Sequence, residues 1–314
     1  MRQAGGAPGT RLMEATPQPD SLTQILLDEF IQALGLKPGR LSRALIRPLF
    51  WPPASRFARL GVLFDHYLTT GSFPEAARWA LESHRVELRL RESVDIPASG
   101  PLLVTSNHPG GVDCLALAAG LGRSDLKIVA SGLPFLRSLP EVARHLILVS
   151  RVGTHARMAA MRESIRHLEE GGALLIFPRG KVEPDPAFFS EAELSIENWS
   201  PSVRILLDRV PQLRWVMAMV SGVVSGKALQ HPLAKRKREL TERQTMAEFY
   251  QIARQVMSPR WVQQTISLSL VPARSTVVDG VDVSASAQMA DVINSARRAL
   301  EEHWAWIRGP HSAV

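Results

Sequence analysis

The stretch Leu102-Leu103-Val104-Thr105-Ser106-Asn107-His108-Pro109-Gly110-Gly111-Val112-Asp113 decides the fold class of this 314-residue chain. Its first five residues form a short apolar run, which is typical of a buried strand. The next five residues end in Pro-Gly-Gly and predict a tight loop. The apolar pattern then resumes over 112–121, which predicts a helix. A strand that passes through a loop into a helix is the unit of parallel α/β sheets.

The same unit recurs along the chain, and apolar runs of strand length alternate with helical patterns from residue 101 onward. The clearest helix covers 155–170. This alternation predicts an α/β fold with a mostly parallel central sheet flanked by helices, which we assign to residues 85–314. The predicted strands are Leu102–Ser106, Leu126–Ala130, Leu146–Ser150, Ala173–Phe177, Trp215–Val220 and Ile266–Val271.

The N-terminal part has a different character. Residues 1–20 are rich in Gly, Pro, Thr and Gln and lack an apolar core, so we expect a disordered lead and no signal peptide. Residues 21–84 form a predicted helical region, and the helical pattern extends to about residue 95. Its second helix, over roughly 40–70, is expected to break at Pro48 and at Pro52-Pro53.

This helical region is also a candidate for docking on a membrane. Between Arg40 and Phe64 it carries five arginines and no acidic residue, interleaved with large apolar side chains that include Phe50 and Trp51. Basic residues mixed with apolar and aromatic ones are typical of interfacial segments. The alternative is a helix that packs on the main domain and leaves its arginines in solvent. The sequence favours neither reading.

Composition narrows the partners. The chain has 37 Lys and Arg against 30 Asp and Glu, a formal net charge of +7, which suits nucleic acid, an anionic membrane or a phosphorylated substrate. The dense basic cluster Lys235–Arg238 has no recognisable nucleic-acid motif beside it, so contact with anionic head groups or solvent is favoured. Cys114 is the only cysteine, which excludes an intramolecular disulfide. No apolar stretch reaches membrane-spanning length, so we expect a cytoplasmic protein that docks on the inner membrane face.

His108 and Asp113 are the candidate catalytic pair. The predicted loop places the imidazole at a strand end, where ligand sites of open α/β sheets lie. Asp113 falls near the first turn of the next helix and can reach back to the histidine. A histidine held by an aspartate is the minimal general base, because the carboxylate orients the ring and stabilises its protonated form. The alternative is a hydrogen-bonded histidine without chemistry.

Two further strand ends deliver cations. The run Ala173–Phe177 is followed by Pro178-Arg179-Gly180-Lys181, and the run Leu146–Ser150 is followed by Arg151. A guanidinium group suits phosphate because its planar fork donates two parallel hydrogen bonds. Cations at the ends of neighbouring apolar strands therefore predict an anion site beside the histidine.

Together these blocks resemble the glycerolipid acyltransferases of the lysophospholipid acyltransferase family, of the lysophosphatidic acid acyltransferase type. The resemblance covers roughly residues 85–275. The matching residues are Asn107, His108 and Asp113 for the first motif, N-H-x-x-x-x-D, Leu146–Arg151 for the second motif, Phe177, Pro178 and Gly180 for the third, and loosely Met219–Val224 for the fourth. The chain departs from the family at two points: Arg179 stands in the third motif where the family usually has glutamate, and the fourth motif lacks its proline.

The resemblance implies transfer of an acyl group from an acyl-thioester, coenzyme A or acyl carrier protein, to a hydroxyl of a lysophospholipid or glycerol-phosphate-like acceptor. His108 would be the general base and Asp113 its orienting partner. No metal or cofactor beyond the acyl donor is expected. Because Arg179 replaces the usual glutamate, the resemblance does not identify the acceptor. The residues assigned to substrate binding are Asn107, Gly110 and Gly111 (the last two as backbone donors to the oxyanion), Arg151, Arg179 and Lys181 as phosphate ligands, and Pro178 and Gly180.

Two alternatives remain at this point. The same pair could activate water, which would make the protein a thioesterase or esterase. The basic surplus could instead serve a non-catalytic binder of anionic lipid or nucleic acid, although we expect no nucleic acid partner.

Overall fold

The computed structural model of the protein describes residues 18–131, 133–149, 153–210, 212–273 and 285–309. It confirms the predicted class, an α/β fold with a mostly parallel sheet, flanking helices and N-terminal helices. The helices are α1 Pro19–Ala33, α2 Arg40–Tyr67, α3 Phe73–Ser83, α4 Asp113–Leu121, α5 Pro134–Arg137, α6 Pro140–Arg144, α7 Thr154–Glu169, α8 Ala192–Ile196, α9 Ser202–Arg209, α10 Gly226–Leu229, α11 Pro232–Lys235, α12 Leu240–Met257 and α13 Ala285–Ile307, and the strands are β1 Val86–Glu92, β2 Leu102–Ser106, β3 Lys127–Ser131, β4 Leu146–Val149, β5 Ala173–Ile176, β6 Arg214–Ser221 and β7 Gln264–Pro272.

One sheet joins these strands in the order β1-β7-β6-β2-β5-β3-β4. Every pair in it is parallel except β6 and β7, which run antiparallel. Strand β2 lies in the middle, with β5 on one side and β6 on the other, and Thr105 pairs with both Ile176 and Met217. The loops that follow β2 and β5 therefore leave the sheet side by side at its carboxyl edge.

Burial explains why β2 is a continuous apolar run. All five of its residues are buried. Leu102 and Val104 belong to the core on the α4 side, whereas Leu103 belongs to the opposite core, which includes residues of α7, α9 and α13. A strand covered by helices on both faces has no exposed side that would favour polar residues.

The helical prediction for residues 85–95 is wrong, because β1 occupies Val86–Glu92. Its partner is β7, whose residue Gln264 pairs with Val86, so the pairing that makes it a strand comes from far along the chain. The alternation in Val-Glu-Leu-Arg-Leu-Arg-Glu has the two-residue period of a half-buried strand. A helical pattern extended from upstream hid that period.

The predicted breaks in the second helix are also wrong, since α2 continues through Pro48, Pro52 and Pro53. A proline deprives the carbonyl four residues earlier of its hydrogen bond. The carbonyls affected here belong to Ala44, Pro48 and Leu49, all on the exposed side of the helix. Water can hydrate them there, which lowers the cost of keeping one helix.

The boundaries drawn at residues 20 and 84 stay predictions, and residues 1–17 of the predicted lead lie outside the described part of the chain. Within the described ranges, no helix combines the length and apolar character needed to cross a membrane.

Candidate active site

The loop after β2 brings His108 and Asp113 into contact. The Nδ1 atom of His108 lies 2.8 Å from Oδ2 of Asp113, the first residue of α4. The side chain of Asp113 is fully buried, whereas that of His108 is 24% exposed. An ionised carboxylate can only accept, so it holds the proton of the imidazole on Nδ1 and leaves Nε2 as the basic nitrogen. Among the described residues, none hydrogen-bonds Nε2.

Phe177 supports the ring of His108 from the neighbouring strand. It follows β5 directly, and its ring stacks on the imidazole with centroids 4.3 Å apart and an angle of 28°. The stack restricts rotation of the imidazole, while the contact with Asp113 fixes its direction. The predicted meeting of the β2 and β5 loops is therefore realised at the histidine.

Two buried glutamates complete the surroundings of His108, and the sequence analysis identified neither. Glu183 lies in the loop after β5, and its Oε2 accepts a hydrogen bond of 3.3 Å from the backbone amide of His108. Its other oxygen accepts from the indole of Trp199 at 2.8 Å. Glu248 lies on α12, and its Oε1 accepts from the amide of Gly111 at 2.7 Å.

These carboxylates control the charge of the site. Burial opposes a charge on His108, but Asp113, Glu248 and Glu183 together outweigh it, so the pKa of His108 lies above its usual value. Burial raises the pKa of both Glu183 and Glu248 to about 7, and for Glu248 the charge of Asp113 adds to that rise. The site therefore holds more negative charge than a lone His–Asp pair would.

The amides of Gly110 and Gly111 do not serve as free donors. The Gly110 amide donates to Oδ2 of Asp113 at 3.2 Å, and the Gly111 amide donates to Glu248. Carboxylates of the protein accept from both amides in this structure, and the expected role of these amides at an oxyanion stays a prediction. Their role in this structure is to shape the loop.

Asn107 is a structural clamp in this structure. Its side chain is buried, donates to the carbonyl of Val220 and accepts from the amide of the same residue, both at 2.8 Å. This paired contact ties the end of β2 to β6. The contact also positions His108, which follows Asn107, and the assignment of Asn107 to substrate binding stays a prediction.

The loop after β5 carries the remaining described candidates. The Arg179 guanidinium donates from Nη1 to the carbonyl of Val182 at 3.0 Å, and its charge lowers the pKa of Glu183. Pro178 is buried, and Gly180 is exposed in the left-handed region with φ 66°. Lys181 is exposed. The loop thus places one cation against a glutamate and another in solvent.

Arg151 lies outside the described residues. The strand before it, β4, is at the edge of the sheet, separated from β2 by β3 and β5. The three strand ends expected to converge are therefore not equally close: β2 and β5 are neighbours, and β4 is three positions from β2.

The site offers no activated thiol. Burial raises the pKa of the Cys114 thiol well above its usual value, and the neighbouring Asp113 raises it further. A thiol that keeps its proton is a poor nucleophile. The described group of the site that could act as a base is the imidazole of His108.

Residues 87–192 match the family model described as Acyltransferase. A search of curated proteins finds no match to the chain. Among solved structures, the chain is similar to the crystal structure of the 1-acyl-sn-glycerophosphate (LPA) acyltransferase PlsC from Thermotoga maritima, at 15% sequence identity and a TM-score of 0.38, covering 90% of this chain and 96% of that chain.

Proposed function

We propose that this chain, whose residues 87–192 match the family model described as Acyltransferase, moves a fatty acyl group from an acyl-thioester to a hydroxyl of a lysophospholipid or glycerol-phosphate-like acceptor. One observation carries the proposal. His108 is oriented by Asp113 at 2.8 Å while its Nε2 edge stays unbonded among the described residues and its side chain stays partly exposed. That is the arrangement of a general base that serves a bound substrate.

The proposed reaction needs one base and one proton path. Nε2 of His108 takes the proton of the acceptor hydroxyl as its oxygen attacks the thioester carbonyl. A carbon–oxygen bond forms, the carbon–sulfur bond breaks, and the proton on His108 passes to the departing thiolate. Asp113 stabilises the imidazolium between these steps. Direct transfer requires positioning and no covalent enzyme intermediate, so we propose no metal or cofactor besides the acyl donor.

Product analysis tests acyl transfer against its nearest rival. The enzyme is given a labelled acyl-CoA or an acyl carrier protein thioester together with a lysophospholipid. Labelled diacyl lipid supports transfer, and the more productive donor identifies the thioester. Free fatty acid at the same rate with and without acceptor would instead show hydrolysis and refute the proposal.

Arg179 is the proposed reader of the acceptor head group, since it replaces the usual glutamate of the third motif. Replacing it with glutamate puts a second carboxylate beside buried Glu183 and removes the cation from the loop. We expect R179E to lower kcat/KM for a phosphate-bearing acceptor by about 10-fold to 100-fold, and for an uncharged glycerolipid much less. Arg162→Glu, which makes the same charge change at an exposed residue of α7, is the matched control. Equal losses on both acceptors would reject the role.

Helix α2 is the proposed membrane-docking element. Three leucines spaced four residues apart lie on one side of it and are strongly exposed: Leu41 at 85%, Leu45 at 79% and Leu49 at 73%. The exposed Arg40 and Arg47 flank this stripe. Exposed leucines in a row beside cations fit the acyl and head-group layers of an anionic leaflet. We propose that the protein works at the cytoplasmic face of a membrane through this stripe.

Replacing all three stripe leucines with serine is expected to lower co-sedimentation with vesicles that contain an anionic phospholipid by about 10-fold or more, because three apolar side chains no longer enter the bilayer. Acyl transfer to acceptor dissolved in detergent should stay near the wild-type rate. Leu194→Ser, at a residue of α8 that is 61% exposed, is the control. Unchanged vesicle binding by the triple variant would reject docking through α2.

A further inference from the structure

Helix α12 buries a polar face. Gln244, Glu248, Gln251 and Gln255 recur at intervals of four, three and four residues, so they lie on one side of the helix, and all four are buried. A buried helix face is normally apolar, because a polar group that leaves water must recover its hydrogen bonds. The partners of this face therefore indicate its purpose.

The first half of this face holds the loop that carries the candidate base. Gln244 donates from Nε2 to the carbonyl of Pro109, and Glu248 accepts from the amide of Gly111 at 2.7 Å. Between these contacts, the Glu248 carboxyl packs against the bare Cα of Gly110: a Cβ atom placed there would lie 2.5 Å from its Oε1. Helix α12 thus contacts all of 109–111, the first three of the four residues between His108 and Asp113.

Two glycines make this stretch dependent on outside support. Gly110 and Gly111 have no side chains that could pack the loop in place, and glycine has the most backbone freedom to lose. The other side of α12 faces helices α1 and α2, where the ring of Phe249 meets that of Phe30 edge-on and Ile252 and Val256 line an apolar groove. Helix α12 therefore supports the loop through two side chains, Gln244 and Glu248.

We propose that Glu248 is a positioning residue for acyl transfer: it holds the 109–111 loop so that His108 and Asp113 keep their contact, and its carboxylate adds to the negative charge that faces the imidazole. The inference rests on the proposed function of His108. It assigns a role to a residue that lies outside the 87–192 range matched by the family model, 137 positions from its hydrogen-bond partner Gly111.

Charge gives this role a measurable signature. The groups that face His108 are Asp113 from α4, Glu183 from the loop after β5 and Glu248 from α12, with Arg179 acting on Glu183. All three carboxylates raise the pKa of His108. Removing the charge of Glu248 must lower that pKa, and a base with a lower pKa is deprotonated at lower pH. The acid limb of kcat/KM should then move to lower pH.

Glu248→Gln and Glu248→Ala separate position from charge. Glutamine still accepts from Gly111 but is neutral, so we expect E248Q to keep kcat within about tenfold and to move the acid limb down by about one pH unit. Alanine frees the loop, and we expect kcat to fall about 10²-fold with little change in KM. Gln255→Ala, on the same buried face but bonded to Gln264, is the control.

Stability measurements separate this role from a purely structural one. The pKa of Glu248 is raised to about 7, so its contribution to stability is fully present below its unfolded value and is lost as pH rises through 7. Unfolding midpoints of wild type should therefore fall more than those of E248Q between about pH 5 and pH 8. If Glu248 served only to stabilise the fold, the unfolding midpoint of wild type would instead lie above that of E248Q near pH 8.

A glycine pair tests the same contact from the loop side. Gly110→Ala forces a methyl group into the Glu248 carboxyl, whereas Gly226→Ala, at a glycine of α10 outside the loop, leaves the nearest atom, Cε1 of Phe188, at 3.6 Å. We expect G110A to lose about 10²-fold in kcat and G226A to lose less than about threefold. Equal kcat for wild type, E248A and G110A, with an unmoved acid limb, overturns the proposal. Full acyl transfer by His108→Ala would overturn the proposed function instead.

Discussion

Replacing His108 with alanine is expected to lower kcat/KM for acyl transfer by about 10²-fold to 10⁴-fold in a protein that still folds. In the proposed mechanism the ring accepts a substrate proton at Nε2, because Asp113 lies 2.8 Å from Nδ1 and keeps the ring proton there. Alanine leaves the acceptor hydroxyl without a base at neutral pH. Initial rates of labelled product formation from acyl-thioester and lysophospholipid measure the loss.

Asp113→Asn tests the orienting role without removing the ring. An asparagine can turn its amide NH₂ toward Nδ1, which favours the tautomer with the proton on Nε2 and disables the base. We expect a loss of about 10²-fold or more in kcat. His84→Ala is the control, because His84 is a partly buried histidine whose Nδ1 contacts only the carbonyl of Ala80. An H108A enzyme as active as H84A would refute the general base.

Asp185→Ala is expected to cause the largest loss of stability, about 3 kcal/mol in the free energy of unfolding. The side chain of Asp185 is fully buried. Its two oxygens accept from the amides of Ala187, Gly222 and Val223 at 2.8–2.9 Å. Alanine leaves three backbone donors without their acceptor at the junction of the loop after β5 and the end of β6.

Urea unfolding followed by circular dichroism measures this loss. Asp208→Ala is the matched control, because Asp208 pairs with Arg204 on the surface of α9 and is 45% exposed, where an ion pair contributes about 1 kcal/mol or less. Asp185→Asn, which keeps one acceptor oxygen, should fall between the two. A D185A protein as stable as D208A would show that water replaces the lost acceptor and that the junction carries no stability.

Local order along the chain explains which features could be predicted. A short apolar run followed by Pro-Gly-Gly predicts the strand Leu102–Ser106, the glycine loop and helix α4. The contact of His108 with Asp113 follows from the same segment, because five positions across a loop and a helix start bring the two together. Strand β1 was not predicted, because its partner strand β7 is remote in sequence.

The sequence did not identify Glu183 and Glu248 as site residues for a different reason. Gln244 and Glu248 share a polar helix face, which in sequence is indistinguishable from a face exposed to solvent. Glu183 stands four residues after Arg179 in a loop, where an acidic residue is ordinarily solvated. Only the packing of α12 and of the loop after β5 against the histidine loop buries both carboxyls, and burial is what raises their pKa to about 7.

The sequence by itself determined the strand-loop-helix unit, the His108–Asp113 pair and the class of sheet that carries them, because each depends on neighbours within a few residues. Tertiary structure alone decided which groups surround that pair: Glu183 arrives from 75 positions away and Glu248 comes to Gly111 from 137. It also decided that the glycine amides bind carboxylates. The physical reason is that hydrogen bonding and desolvation depend on distance in space, which the pattern of a single segment does not contain.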